Sequence, residues 1–127
     1  MRKLTAILCL TLAVLLGSAG VSESADFVKG LTAFQRGNYA IALRELTPLA
    51  EQGDADAQSH LGEIYYNGQG VIQDDVYAHM WWNIAASSGE KTASIIRDIV
   101  AKKMTPADIF TAQKLVRECV RKKYKGC

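Results

Sequence analysis

The sequence has few of the residues from which reactive sites are usually built. It contains two histidines and three cysteines among 127 residues. The pair His60 and His79 does not sit at metal-ligand spacing on one helix. No serine stands in a nucleophile-elbow motif, and the glycines at 68 and 70 fit no phosphate-binding motif. We therefore expect no metal, no cofactor and no catalytic activity, and we interpret both histidines as helix-surface residues.

Net charge is also close to zero. The whole chain has 15 Lys and Arg against 13 Asp and Glu. Loss of the amino-terminal segment discussed below removes Arg2 and Lys3 and leaves thirteen of each sign. A nearly neutral protein has no overall field that draws it to nucleic acid or to an anionic membrane. A composition of 49% hydrophobic and 22% charged residues is that of a folded globular chain rather than a disordered one.

The first residues have the pattern of a secretory signal peptide. Two basic residues precede an unbroken run of apolar or small residues at 4–17, and further small residues follow. The run is short for a permanent anchor, because a membrane-spanning helix needs roughly 20 apolar residues. We predict a signal peptide at residues 1–19, cleaved after Ala19, with cleavage after Ala25 as the alternative. The mature chain is then periplasmic or secreted, with no stable membrane anchor; an uncleaved anchor is the other interpretation.

Cysteine usage points to one intrachain bridge. Cys9 lies inside the apolar run, so the mature chain keeps Cys119 and Cys127. An even number of cysteines in an exported chain favours a disulfide. A continuous helix would rise about 12 Å between them, which exceeds the roughly 7 Å limit on the Cα separation of bridged cysteines. The helix must therefore end between them, and Gly126 and the polar run 121–125 allow the tail to fold back. Two free thiols, or a pair bridging to another molecule, are the alternatives.

The mature chain has the periodicity of helices throughout. Apolar residues recur at helical spacing, and breaks rich in glycine, serine or asparagine separate the stretches. The last stretch opens with Thr105 and Pro106, a capping hydroxyl followed by proline at the first helical position. Short loops between neighbours predict three helical hairpins. The predicted helices lie at about 26–34, 39–52, 55–66, 75–86, 91–103 and 106–121.

The sequence also repeats part of itself. The second and fourth predicted helices overlay at an offset of 36 residues. This offset relates Ala42 to Ala78, and it relates Ala57 to Ala93. A period in the thirties is typical of stacked helical hairpins, in which each pair buries its apolar face against its neighbours.

The middle hairpin carries glycines, alanines, aromatic residues, one leucine and one aspartate at characteristic positions. Between residues 57 and 89 they are Leu61, Gly62, Tyr65, Gly68, Gly70, Asp74, Ala78, Trp81 and Ala85. In this order and spacing they resemble a Sel1-like repeat, a relative of the tetratricopeptide repeat, of the exported bacterial type. Ile72 stands where the family often has proline. The resemblance implies an all-α fold, an α/α solenoid fragment of three helical hairpins spanning residues 26–127.

The flanking hairpins match more loosely. Residues 26–53 are similar to the tetratricopeptide pattern, the repeat itself occupies 55–89, and residues 90–127 are interpreted as a degenerate last hairpin that caps the stack. Within the repeat, we expect Gly62 to let paired helices approach closely. We expect Trp81 to pack in the core and Trp82 to be half-buried.

The resemblance also suggests where a partner binds. In the related tetratricopeptide arrays, the first helix of each pair lines a concave surface. Carried onto the middle repeat, this places Ser59, Glu63, Tyr66 and Asn67 on that surface. A polar groove with one aromatic anchor suits an extended peptide or a partner's helix. The resemblance therefore implies an exported protein–protein interaction module of the bacterial cell envelope, with a protein or peptide as partner.

Two other functions remain open at this point. Some cysteine-rich relatives have been linked to β-lactam binding, so an envelope hydrolase or β-lactam-binding protein is one alternative, although this chain lacks a cysteine pair in every repeat. A purely structural envelope component is the other. A basic carboxyl-terminal segment suits the negative end of its helix, and contact with lipid or an acidic partner is the alternative interpretation. Its cations are Arg117, Arg121, Lys122, Lys123 and Lys125.

Export with cleavage is tested by the mass of the protein recovered from its native host. We expect an amino terminus between Gly20 and Asp26, because signal peptidase removes the apolar segment after a small residue. Intact chain beginning at Met1 in the cytoplasmic fraction would contradict the prediction.

Overall fold

The computed structural model describes residues 25–127. Outside this range lie the predicted signal peptide at residues 1–19, which includes Cys9, and the predicted cleavage bond after Ala19. Within it, every regular element is a helix, which confirms the all-α class. The helices are α1 (Phe27–Gln35), α2 (Tyr39–Glu51), α3 (Ala55–Asn67), α4 (Asp75–Ser87), α5 (Lys91–Ala101) and α6 (Pro106–Arg121).

Each helix begins at a side chain that accepts a hydrogen bond from the backbone of the first turn. Such caps satisfy donors that have no partner inside the helix and contribute about 1 kcal/mol each. Asp54 Oδ1 accepts from the Ala57 amide at 2.9 Å. At the start of α4, Asp74 accepts from the Tyr77 amide. The six caps are Asp26, Asn38, Asp54, Asp74, Glu90 and Thr105.

Helix α2 continues through a proline. Pro48 lies three residues before the last residue of the helix, Glu51. A proline in a helix removes one backbone donor and crowds the carbonyl four residues earlier. The flanking side chains Leu46 and Ala50 are fully buried, so the packing of this last turn holds the helix together past the lost hydrogen bond.

The helices stack as a solenoid of hairpins around α4. Helices α1 and α2 form one pair, α3 and α4 form the next, and α2 packs on α3 between them. The last pair is arranged differently, because α5 and α6 both pack mainly on α4 rather than on each other. Helix α4 therefore has three neighbours, and it is the most buried element of the fold.

Two apolar clusters form the core, and α4 contributes to both. The larger cluster contains Leu46, Leu61, Ile64 and Trp81 and extends to Cys119 on α6. The smaller one is centred on Trp82 and contains alanines and a valine from α4 and α5: Ala78, Ala85, Ala93 and Val100.

The positions related by the repeat offset are equivalent in the structure. Ala42, Ala78, Ala57 and Ala93 are all 0% exposed. An alanine at these positions lets the neighbouring helices approach, because a longer side chain would hold them apart.

Gly62 allows Trp82 of α4 to lie very close to the backbone of α3. A Cβ atom at this position would lie 2.6 Å from Nε1 of Trp82. The same indole nitrogen donates a hydrogen bond to the Ser59 carbonyl at 3.1 Å. The ring of Trp82 therefore lies flat against the backbone of α3, as the predicted close approach requires.

The chain turns back after α6. Sγ of Cys119 lies 2.00 Å from Sγ of Cys127, and the two Cα atoms are 5.6 Å apart. Lys123 and Tyr124 have φ angles of 54° and 66°, in the left-handed region that few residues other than glycine adopt. The ring of Tyr124 packs on the larger cluster. None of the helices in the described range is long and apolar enough to cross a membrane.

We predict that Gly62→Ala destabilises the fold by about 1–3 kcal/mol, because the added methyl group displaces the indole of Trp82. Urea unfolding followed by far-UV circular dichroism measures the change. Gly30→Ala is the control: it is the other glycine inside a described helix, and the atoms nearest to its added methyl group belong to the side chains of Leu46 and Glu45, 3.0 Å away or more. Equal losses in the two variants would contradict the role assigned to the indole contact.

Candidate functional site

A groove of about 390 Å³ lies between α3 and α5, with α4 beneath it. The four residues predicted to bind a partner, Ser59, Glu63, Tyr66 and Asn67, all line it. They share one face of α3, because spacings of three and four residues return to the same side of a helix. The other lining residues are His60 of α3, Trp82 of α4, and Ile96, Ile99 and Val100 of α5.

The α3 wall is mostly polar. His60 Nδ1 lies 3.7 Å from Glu63 Oε2, and the Glu63 side chain is 46% exposed. The imidazole of His60 also packs against α1, with ring centroids 5.4 Å from Phe34 and 6.1 Å from Phe27. The wall thus presents an accessible carboxylate beside a histidine that is held in place by aromatic contacts.

Tyr66 is the aromatic residue of this wall. Its ring centroid lies 5.7 Å from that of Trp82. Its hydroxyl oxygen accepts a hydrogen bond from Nζ of Lys103 at 3.2 Å. From its place on the predicted concave surface we expected Tyr66 to face away from the core, but it is half-buried and packs on the smaller cluster. Its ring is therefore pre-positioned, and its removal would also disturb the core.

The α5 wall is apolar, and sequence reasoning missed it. Ile96 and Val100 face the smaller cluster, whereas Ile99 is 53% exposed at the groove and Ile95 is 61% exposed beside it. A helix packed on one side needs one apolar stripe, but α5 carries two adjacent ones. The second apolar stripe is visible in the sequence as the pairs Ile95-Ile96 and Ile99-Val100, and it could have indicated an apolar surface on this helix.

Two expectations about α4 were wrong. His79 was interpreted as a surface residue but is 4% exposed, and Trp82 was expected to be half-buried but is 3% exposed. Both errors have the same cause, since α4 is covered by α3, α5 and α6 rather than by a single partner helix.

The part of the chain that the structure describes contains no group of three or more His, Cys, Asp or Glu side chains that could hold a metal ion. The hydroxyls of Ser87 and Ser94 donate to backbone carbonyls of their own helices.

The model of the Sel1 repeat family matches residues 55–90. The chain contains a Sel1 repeat. The match begins with α3, includes α4 and ends at the cap of α5. A Sel1 repeat indicates a protein–protein interaction module. Neither the curated proteins nor the solved structures gave a significant match to the chain.

The residues on which the resemblance to the family was based are mostly core positions. Leu61 and Trp81 are each 2% exposed, and Ala78 and Ala85 are fully buried. Tyr65 is partly buried, and its ring centroid lies 4.7 Å from that of Tyr77, roughly edge to face. These side chains build the support for the groove rather than its surface.

The loop of the Sel1 repeat uses two glycines. Gly68 ends α3 with φ 65°, and Gly70 has φ 76°. A Cβ atom on Gly70 would lie 2.9 Å from Cβ of Tyr39. The loop therefore packs closely on the start of α2, which joins the Sel1 repeat to the preceding hairpin.

The burial of His79 predicts that the stability of the fold depends on pH. Burial lowers the pKa of its imidazole, the Arg97 guanidinium lowers it further, and Asp98 acts in the opposite direction. Its Nδ1 atom is buried without a hydrogen-bond partner in the described range. Because the folded state disfavours the charged imidazole, the unfolded chain binds a proton first as the pH falls below about 6.5.

We therefore predict that the free energy of unfolding decreases between pH 7.5 and pH 5.5, and that His79→Gln reduces this decrease. Urea titrations of both proteins at the two pH values measure the difference. His60 is present in both proteins, so it cancels in the comparison. A variant with the same pH dependence as the wild type would show that His79 is not responsible.

Proposed function

We propose that the mature chain is an exported protein-binding module of the bacterial cell envelope, without catalytic activity, and that its groove between α3 and α5 receives a segment of the partner. The observation that carries this proposal is the convergence of the four predicted residues, an aromatic floor and an apolar wall on one groove. The Sel1 repeat supports the protein-binding role.

The groove suits a short peptide segment or one face of a partner's helix. The partly buried Tyr66 ring offers an aromatic contact above the buried Trp82, and Ile99 adds an exposed apolar edge. Glu63 can pair with a cation, and Lys103 offers a charged donor beside the Tyr66 ring, 6.0 Å from its centroid. Apolar anchors within a polar rim are the usual composition of sites that bind a peptide.

Export is supported by two features that do not depend on the groove. The apolar segment near the amino terminus has the composition of a signal peptide. A disulfide such as Cys119–Cys127 persists in oxidising compartments and is rare in the cytoplasm.

The groove is tested with the partner captured by covalent crosslinking in a periplasmic extract. We predict that Ile99→Ser and Glu63→Lys each weaken binding fivefold or more, because a contact near the centre of an interface contributes about 1 kcal/mol or more. Both residues are about half exposed, so the melting temperature should change little. Isothermal titration or biolayer interferometry gives the affinities.

Ile72→Ser is the matched control, because this isoleucine is 90% exposed in the loop before α4 and lies outside the groove. It should bind the partner as tightly as the wild type. Tyr66→Ala is a poorer test, because loss of the Tyr66–Trp82 contact should lower both stability and binding. If both groove variants keep full affinity, the partner binds elsewhere on the molecule.

A further inference from the structure

Cations are concentrated at the carboxyl-terminal end of the chain. Every one is exposed, and none forms an ion pair within the described residues. Glu118, the single carboxylate side chain among residues 110–127, is partly buried. The cations are Lys114, Arg117, Arg121, Lys122, Lys123 and Lys125.

The rest of the described chain carries a net negative charge. Residues 25–109 carry eleven Asp and Glu against seven Lys and Arg. The near neutrality of the whole molecule thus comes from segregated charges, and a local cluster retains its own potential within the Debye length of about 10 Å at moderate salt. A protein with no overall attraction to anions can therefore have one strongly attractive face.

Three of these cations lie on the outward face of α6. Lys114, Arg117 and Arg121 follow one another at spacings of three and four residues, which places them in one stripe. The buried residues Ala112 and Cys119 occupy the opposite side of the helix. One turn before Lys114, the same stripe carries Phe110, which is 61% exposed. Basic side chains and an exposed aromatic ring thus share this surface.

The remaining lysines are held close to this stripe by a closed loop. The disulfide Cys119–Cys127 ties the end of the chain to the inner side of α6, and the Tyr124 ring packs on the larger core cluster. Lys123 and Tyr124 both have left-handed φ angles. Non-glycine residues in this conformation persist when the surrounding structure holds them, and they are concentrated at functional sites. The loop positions its lysines instead of leaving them on a free tail.

We propose that the outward face of α6 and the loop 122–127, together called the cationic face, bind the surface of an anionic phospholipid membrane. Single cations spread along a helix and a loop, with one exposed aromatic side chain among them, match an extended array of phosphates bordered by acyl chains. The depression beside the disulfide, which Lys122 helps to line, is only about 90 Å³ and is too small for a peptide. The shape of the cationic face therefore favours a membrane surface over an acidic peptide.

Sedimentation of the mature chain with vesicles tests the proposal. We expect binding to phosphatidylcholine vesicles that contain about one-third phosphatidylglycerol, little binding to phosphatidylcholine alone, and release at about 0.5 M salt. The triple variant Lys114→Gln, Arg117→Gln, Arg121→Gln should bind far more weakly, since each basic residue near an anionic surface contributes about fivefold. Circular dichroism verifies that the variant is folded.

The control variant Arg36→Gln, Lys91→Gln, Lys102→Gln removes the same charge from exposed positions outside the cationic face, and it should bind nearly as well as the wild type. Equal weakening of both variants would overturn the proposal, because net charge alone would then explain binding. Equal binding to both kinds of vesicle would also overturn it. Binding to soluble polyglutamate without binding to vesicles would assign the face to an acidic protein instead.

Discussion

The fold depends on the complete enclosure of α4. Consecutive residues on a helix point about 100° apart, so the neighbours Trp81 and Trp82 extend into two different apolar clusters. Each cluster has its own covering helices: α1, α2, α3 and α6 contribute to the one around Trp81, and α3 and α5 to the one around Trp82. Because two large aromatic side chains are buried from a single helix, the hairpins on either side are fixed relative to one another, and the groove above Trp82 receives a rigid floor.

Small residues make this enclosure possible. The indole of Trp82 fits against α3 only because residue 62 has no side chain, and fully buried alanines at positions 78, 85 and 93 leave room for α5 on the other side. The small residues therefore provide the space that the large ring of Trp82 fills. The groove exists because α3 and α5 both rest on α4 without meeting over Trp82.

Much of this arrangement could be predicted from the sequence, because helix periodicity, capping residues and the offset of 36 residues are local signals. The residues on the α3 side of the groove could also be predicted, since they follow from helical spacing once the repeat is recognised. The residues on the α5 side could not be predicted in this way. Residues 90–127 match the repeat weakly, and the packing of α6 on α4 instead of α5 is set by tertiary contacts that periodicity does not encode. The burial of His79 follows from the same contacts.

This unusual placement of the last two helices also separates the two surfaces of the molecule. Helix α5 borders the groove, whereas α6 packs on α4, and Tyr124 beyond its end lies near Gly53 in the turn between α2 and α3. No residue of α6 lines the groove. A partner in the groove would therefore leave the cationic face uncovered. The two surfaces could be occupied at the same time.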